Sequence, residues 1–98
     1  MNKLEECRKR IDDIDSKIIK LFEERMDVVK EVTSYKLEND LPVLDASRES
    51  KMLEKNLNRI KSDEYKEYYK DVLLGFLKAS KAMQNILIDK AKNGKFGH

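Results

Sequence analysis

Residues 4–35 read LEECRKRIDDIDSKIIKLFEERMDVVKEVTSY, and the spacing of their apolar side chains decides the fold. Apolar residues recur at steps of three and four, as on one face of a long α-helix. The members of this heptad stripe are Leu4, Cys7, Ile11, Ile14, Ile18, Leu21, Arg25, Val28, Val32 and Tyr35. Arg25 places a cation where the pattern calls for leucine. Because a buried guanidinium without an anion is costly, the sequence predicts that a negatively charged group binds there.

The length of the first helix predicts a homodimer. Neither glycine nor proline occurs before Pro42, so one helix is expected over residues 2–39. At about 1.5 Å per residue such a helix is roughly 57 Å long, whereas a compact chain of about 100 residues has a radius of gyration of about 13 Å. Two shorter helices of the same chain cannot cover the whole heptad stripe. We therefore expect an obligate homodimer, with a second first helix lying alongside.

The remaining breaks predict an all-α fold with three helices per chain. Asn39 and Pro42 end the first helix, and Asp45 is a good N-cap for a second helix over residues 46–61. A break at 62–63 precedes a third helix over residues 64–92. One helical domain is therefore expected over residues 1–92, followed by a disordered tail over 93–98.

Composition narrows the class of function. The net charge of +2, from 21 basic and 19 acidic residues without a basic cluster, argues against nucleic acid as a partner. The longest apolar run, VLLGFL at 72–77, is far shorter than the roughly 20 residues of a membrane helix. The charged N-terminal residues lack an apolar signal core, so a cytoplasmic location is expected.

Metal and cofactor chemistry is not indicated. Cys7 is the only cysteine and His98 the only histidine, which excludes an intrachain disulfide and a cysteine-based zinc site. We expect no metal and no cofactor. Cys7 is assigned to the core, since free cysteine usually behaves as a small buried hydrophobe.

Two cations of the first helix can face one small pocket, and a third must reach it from elsewhere. Arg25 and Lys36 are separated by about 20° around the helix and roughly 16 Å along it. Arg8 lies roughly 25 Å before Arg25 and about 100° around the helix. If Arg8 serves the same pocket, it must come from the partner chain. An antiparallel pairing of two first helices would bring it there.

The other two helices add polar groups on faces that should be buried. Arg48 and Glu49 lie in the first turn of the second helix, where free backbone N–H groups suit an oxygen-rich ligand. Ser80 and Gln84 share one face of the third helix within an apolar stripe. Cations, one carboxylate, a hydroxyl and an amide can bind a dianion, but they offer hardly any group for proton transfer or nucleophilic attack.

Each of these residues also has an ordinary structural explanation. Arg25 could set the register of a helix pair or extend to the surface. Ser80 could be a small residue at a close helix crossing, and Gln84 a core amide bonded to backbone. Lys36 and the charged first turn of the second helix could simply be solvated.

Taken in order, these residues resemble the all-helical chorismate mutases. Arg8 in CRKRIDDID (7–15) and Arg25 in ERM (24–26) resemble the opening helix of that family. Lys36 followed by PVLDASRE (42–49) is the most specific part, and SKAMQ (80–84) completes it. The resemblance covers roughly residues 4–88. It implies an intertwined dimer with two equivalent sites that rearranges the dianion chorismate to prephenate, a [3,3] shift in aromatic amino-acid synthesis, without a cofactor.

The resemblance also implies a role for each polar residue. The catalytic residues would be Lys36 and Gln84, which donate to the ether oxygen, and Glu49, which accepts from the ring hydroxyl. The substrate-binding residues would be Arg25 and Arg8 of the partner chain on the two carboxylates, Ser80 beside them, and Asp45 and Arg48 at the start of the second helix.

Two rival functions stay open at this point. An isochorismate pyruvate lyase shares this fold and pocket chemistry, and comparing turnover of chorismate and isochorismate separates the two. A non-catalytic helical dimerisation module would need no alignment of polar groups from three helices. The sequence alone leaves open feedback control and fusion to a second enzyme domain.

Overall fold

The computed structural model describes residues 2–96, which form three helices: α1 (Lys3–Glu38), α2 (Ala46–Arg59) and α3 (Asp63–Phe96). No strand occurs in this part of the chain, so the predicted all-α class with a very long first helix is confirmed. The predicted end of the third helix at Lys92 was wrong by four residues, because the backbone stays helical to Phe96. The tail predicted over 93–98 thus falls partly on α3 and partly on residues 97–98, outside the described residues.

α1 ends in a turn at Asp40, which places the next residues beside the last turn of the helix. Asp40 adopts a positive φ of 55°, a conformation that aspartate tolerates better than most residues. The Leu41 N–H donates to the Lys36 carbonyl at 2.8 Å and the Asp40 N–H to the Leu37 carbonyl at 3.4 Å. These two bonds form a Schellman motif, which satisfies carbonyls that a helix end otherwise leaves open. The segment 41–45 therefore starts beside the last turn of α1.

The predicted N-cap of α2 is confirmed. The Asp45 carboxylate accepts from the Arg48 N–H at 3.0 Å and holds the first turn of the helix. α2 packs against α3, and only 8% of the surface of its Met52 remains exposed. The cap fixes the start of α2 at the end of the connecting segment 39–45.

A second face of α1, not the heptad stripe, packs inside the chain. Its members are buried or half-buried and follow the same helical spacing: Phe22, Met26, Val29, Thr33 and Leu37. The Phe22 and Phe76 rings stack with centroids 6.2 Å apart, which joins α1 to α3. Leu73, only 2% exposed, lies one turn before Phe76. Only the C-terminal half of α1 is covered in this way.

The heptad stripe of α1 is open to solvent in the single chain. Its eight apolar members other than Cys7 are each 44–62% exposed, and Cys7 is half-buried. Covering the exposed parts of these side chains would contribute roughly 1 kcal/mol each, hence on the order of 8 kcal/mol per chain. That sum is comparable with the whole folding free energy of a typical domain, about 5–15 kcal/mol. A chain of this size does not normally leave so much apolar surface uncovered.

The shape of the chain agrees with its open stripe. Its radius of gyration is 17.8 Å and its extents are 62 × 29 × 16 Å, whereas a compact chain of this length has a radius of about 13 Å. Among the described residues, no helix is both long enough and apolar enough to cross a bilayer.

Gly75 should tolerate and favour alanine. It lies within α3 with a negative φ, and no atom comes within 4 Å of the position that an added Cβ would take. Gly75→Ala should therefore raise the free energy of unfolding by about 0.5–1 kcal/mol per chain, because glycine loses more backbone entropy in a helix. Chemical denaturation monitored by circular dichroism measures this. Gly94→Ala, near the end of the same helix and equally open, should have a smaller effect. A lower stability for Gly75→Ala would contradict the assignment of free space there.

Candidate functional site

One cleft brings together most of the predicted site residues. It has a volume of about 480 Å³ and lies between the C-terminal half of α1, the first turn of α2 and the middle of α3. Seven of the eight predicted residues line it: Arg25, Lys36, Asp45, Arg48, Glu49, Ser80 and Gln84. Arg8 is exposed on the N-terminal part of α1 and does not line the cleft. Their roles toward a ligand stay predictions.

Arg25 is held in the cleft by two contacts from α3. Its Nη1 donates to the Ser80 hydroxyl at 2.9 Å, and its guanidinium carbon lies 5.4 Å from the centre of the Phe76 ring. Ser80 is only 6% exposed, so this hydrogen bond is largely shielded from water. Within the described residues no carboxylate is paired with Arg25. The guanidinium is therefore fixed in place with its charge unneutralised.

The Lys36 ammonium, from the last turn of α1, contacts the segment that leads to α2. Its Nζ donates to the Val43 carbonyl at 3.2 Å, and Val43 is itself buried. An ammonium has three donors, so two remain for a ligand in the cleft. This bond also ties the segment before α2 to the last turn of α1.

Gln84 contributes a half-buried amide on the α3 wall. In the described part of the chain its side chain makes no hydrogen bond. Gln84 is one helical turn after Ser80, as predicted from the spacing of four. Both amide N–H groups are thus available to an acceptor in the cleft.

The first turn of α2 supplies groups of both signs. One carboxylate oxygen of Asp45 accepts the N-cap hydrogen bond of α2, as the position of Asp45 in the sequence predicted. Glu49 is half-buried, and its Oε1 lies 2.7 Å from the Nζ of Lys81 on α3. The Arg48 side chain is exposed at the edge of the cleft and has no partner among the residues that the structure describes.

Two contributors to the cleft were missed at the level of sequence. Lys81 lines it and pairs with Glu49, and Phe76 lies under the Arg25 guanidinium. Lys81 follows Ser80 directly, and Phe76 precedes Ser80 by one turn, so both share its part of α3. Their closeness to Ser80 in the sequence is the signal that could have identified them. In a chain with 41% charged residues, however, one more lysine does not stand out.

The charge in the cleft favours a doubly negative ligand. Four lining side chains are cationic (Arg25, Lys36, Arg48 and Lys81) and two are acidic (Asp45 and Glu49), which leaves two positive charges. Valines 28, 29 and 32, with Met52 and Leu77, form the apolar part of the wall. Neither histidine nor cysteine is among the described residues that line the cleft, and its fixed cations and hydrogen-bond donors suit positioning and electrostatic stabilisation of an anion.

Comparison with known proteins agrees with this chemistry. Residues 7–85 match the family described as chorismate mutase type II. The chain belongs to the type II chorismate mutase family. The match includes Arg8, Arg25 and Gln84 and extends over all three helices, so the resemblance inferred from the motifs is confirmed.

Three relatives are at least 33% identical to this chain over the matched residues. The chorismate mutase of Methanocaldococcus jannaschii is 45% identical over 49 residues, half of each chain. The bifunctional chorismate mutase/prephenate dehydratase of Buchnera aphidicola is 36% identical over 87 residues, 88% of this chain and 23% of that protein. The T-protein of Haemophilus influenzae is 33% identical over 86 residues, 87% of this chain and 23% of that protein. The chain thus spans between about a quarter and a half of the length of these relatives.

Proposed function

We propose that this chain is a chorismate mutase, which rearranges chorismate to prephenate without a cofactor, in the cytoplasm. The observation that carries the proposal is the fixed and unneutralised Arg25, in a cleft whose lining leaves two positive charges. Chorismate carries two carboxylates and so matches that charge. Membership of the family and the names of two of the relatives support the same reaction.

Binding in this cleft would restrain a flexible substrate. Arg25, steadied by the Ser80 hydroxyl and the Phe76 ring, would hold one carboxylate in a fixed direction. A guanidinium suits this task because its planar N–H groups can bind a carboxylate in bidentate fashion. The apolar wall would then press the enolpyruvyl side chain against the ring. For a unimolecular rearrangement, holding the reacting carbons in near-attack geometry lowers the barrier directly.

Stabilisation of the breaking C–O bond is the second part of the mechanism. Negative charge grows on the ether oxygen only as the transition state is approached. The Lys36 ammonium and the Gln84 amide both retain free donors on the cleft lining. Donors fixed before the reaction favour the transition state over the ground state and so raise kcat. Glu49 would accept from the ring hydroxyl, with Asp45 and Arg48 completing that wall.

The proposal includes a homodimer in which Arg8 acts in trans. The open heptad stripe of α1 supports a second helix alongside it, and the exposed Arg8 lies far along α1 from its own cleft. An antiparallel α1 pair would place Arg8 of one chain near the cleft of the other. Arg8 would then provide the second guanidinium for the second carboxylate, because Arg25 is engaged with the first.

The direct test is turnover of chorismate by the purified chain. Loss of chorismate absorbance, followed by acid conversion of the product to phenylpyruvate, identifies prephenate as the product. Isochorismate assayed in parallel distinguishes a mutase from a pyruvate lyase. Absence of chorismate turnover by a folded chain would contradict the proposal.

Gln84→Glu should make turnover dependent on acid. An amide donates a hydrogen bond at any ordinary pH, whereas a carboxyl group donates only when protonated. The carboxylate form would also repel the charge that grows on the ether oxygen. We therefore expect strong loss of kcat at neutral pH and recovery as the pH falls, measured as a pH profile beside that of the wild type.

The matched control changes the neighbouring amide in the same way. Asn85 is exposed on α3 and does not line the cleft. Asn85→Asp should keep the wild-type pH profile. A Gln84→Glu profile identical to the wild type would remove Gln84 from the ether-oxygen role.

A further inference from the structure

We propose that Lys81 is a positioning residue for Glu49, which holds that carboxylate in place and neutralises it toward a dianionic substrate. The inference rests on the proposed function and goes beyond it, since neither the resemblance nor the family gave Lys81 a role. It starts from one contact: Lys81 Nζ lies 2.7 Å from Glu49 Oε1. This pair connects the first turn of α2 to the middle of α3 across the lining of the cleft.

Electrostatics explains why Glu49 needs a cation beside it. Glu49 is 20% exposed and lines a cleft whose proposed ligand carries two negative charges. Like charges at close range in such a partly buried place oppose each other much more than in water. An unpaired Glu49 would therefore weaken binding of the dianion. The Lys81 ammonium offsets that repulsion. The net positive charge of the other lining residues is then available to attract the ligand.

Geometry gives the pair a second effect. The ammonium engages Oε1 of Glu49, and the other oxygen remains free to accept from the ring hydroxyl. A carboxylate fixed by a partner loses less rotamer freedom when the substrate binds. Lys81 thus prepares Glu49 for its proposed contact.

A purely stabilising role explains this pair poorly. The Lys81 side chain is 49% exposed, and ion pairs with such access to water usually contribute little to folding, about 0–1 kcal/mol. A second ion pair on the described part of α3, between Lys66 and Asp63 at 3.8 Å, is local to one helix and lies outside the cleft. The Lys81–Glu49 pair is shorter and joins two helices at the cleft.

The first experiment measures kcat and KM for chorismate in Lys81→Met, which keeps the apolar stem and removes the charge. We expect KM to rise about tenfold with kcat within about threefold of wild type, as for a group that aids binding equally in the ground and transition states. Lys81→Arg keeps the charge and should restore KM. Lys78→Met, which removes an exposed lysine of α3 outside the cleft, should leave both constants unchanged. A merely structural loss would lower the active fraction, and hence kcat, without changing KM.

The second experiment asks whether Lys81 acts through Glu49. In a Glu49→Gln background the carboxylate charge is absent, so adding Lys81→Met should change KM by less than about threefold. An equal rise of KM in both backgrounds would mean that Lys81 acts on the substrate itself and would overturn the positioning role. So would an unchanged KM in Lys81→Met, or an arginine variant as impaired as the methionine one.

The outcomes separate this inference from the proposed function. Turnover by the wild type with an unaltered KM in Lys81→Met overturns the role of Lys81 alone. Absence of turnover by the wild type overturns the proposed function and the inference together.

Discussion

Arg25→Ala should remove most of the turnover of chorismate while leaving the chain helical. The guanidinium is the one cation of the cleft with a short hydrogen bond to a buried side chain, Ser80, and with no carboxylate partner among the described residues. Removing one partner of a shielded charged contact typically costs about 2–5 kcal/mol, so kcat/KM should fall roughly 30- to 5,000-fold. Stability should change little, because the variant loses the Ser80 and Phe76 contacts but also the cost of burying a cation.

The measurement pairs steady-state kinetics with far-UV circular dichroism. Arg59→Ala is the matched control, since Arg59 lies in the last turn of α2, is exposed and does not line the cleft. It should keep wild-type turnover. If Arg25→Ala stays active to within a few-fold, the assignment of the site is wrong.

Mixed dimers should restore activity that two inactive variants lack. Arg8→Ala and Arg25→Ala homodimers should each be nearly inactive, because every site then lacks one of its two guanidinium groups. In a heterodimer, the site built on the Arg8→Ala chain keeps its own Arg25 and takes Arg8 from its partner, so it is wholly wild type. The other site carries both changes. Activity should reach about one half of wild type per dimer if the sites act independently.

The experiment needs dimers whose two chains are known to differ. Intertwined subunits, as proposed here, are expected to exchange slowly, so the chains should be co-expressed with different tags, purified through both tags and then assayed. If Arg8 served the cleft of its own chain, each site of the heterodimer would carry one lesion. Heterodimers as inactive as both parents would therefore contradict the trans arrangement of Arg8.

Much of the fold could be predicted because its determinants are local. The lack of glycine and proline before Pro42 predicts one long helix, and Asn39 and Asp45 mark the C-cap of α1 and the N-cap of α2. The inner face of α1 around Phe22 was not predicted, because its spacing is masked by the longer heptad stripe. The end of α3 was placed too early, since Gly94 reads as a helix stop and is instead tolerated within the last turns.

The site was predictable where helical spacing alone decides which side chains share a face. Ser80 and Gln84 are four residues apart and line the same wall, and Lys36 joins Arg25 in the cleft as the angle between them indicated. The Glu49–Lys81 pair depends on how α2 lies against α3, which no local pattern records. The Phe76 contact with Arg25 depends likewise on the packing of α3 against α1.

In the proposed dimer, the open heptad stripe would make the folded state depend on the concentration of the chain. Only three hydrophobic residues of the described chain are buried, namely Val43, Met52 and Leu73. In the proposed dimer, a chain that loses its partner loses the cover of its first helix and the borrowed Arg8 together. By mass action, dilution would then remove activity and structure in one step, without a reserve of folded but inactive monomers. At chain concentrations low enough for most dimers to dissociate, the rate of turnover would vary roughly with the square of the chain concentration. The amount synthesised by the cell would then itself control the reaction.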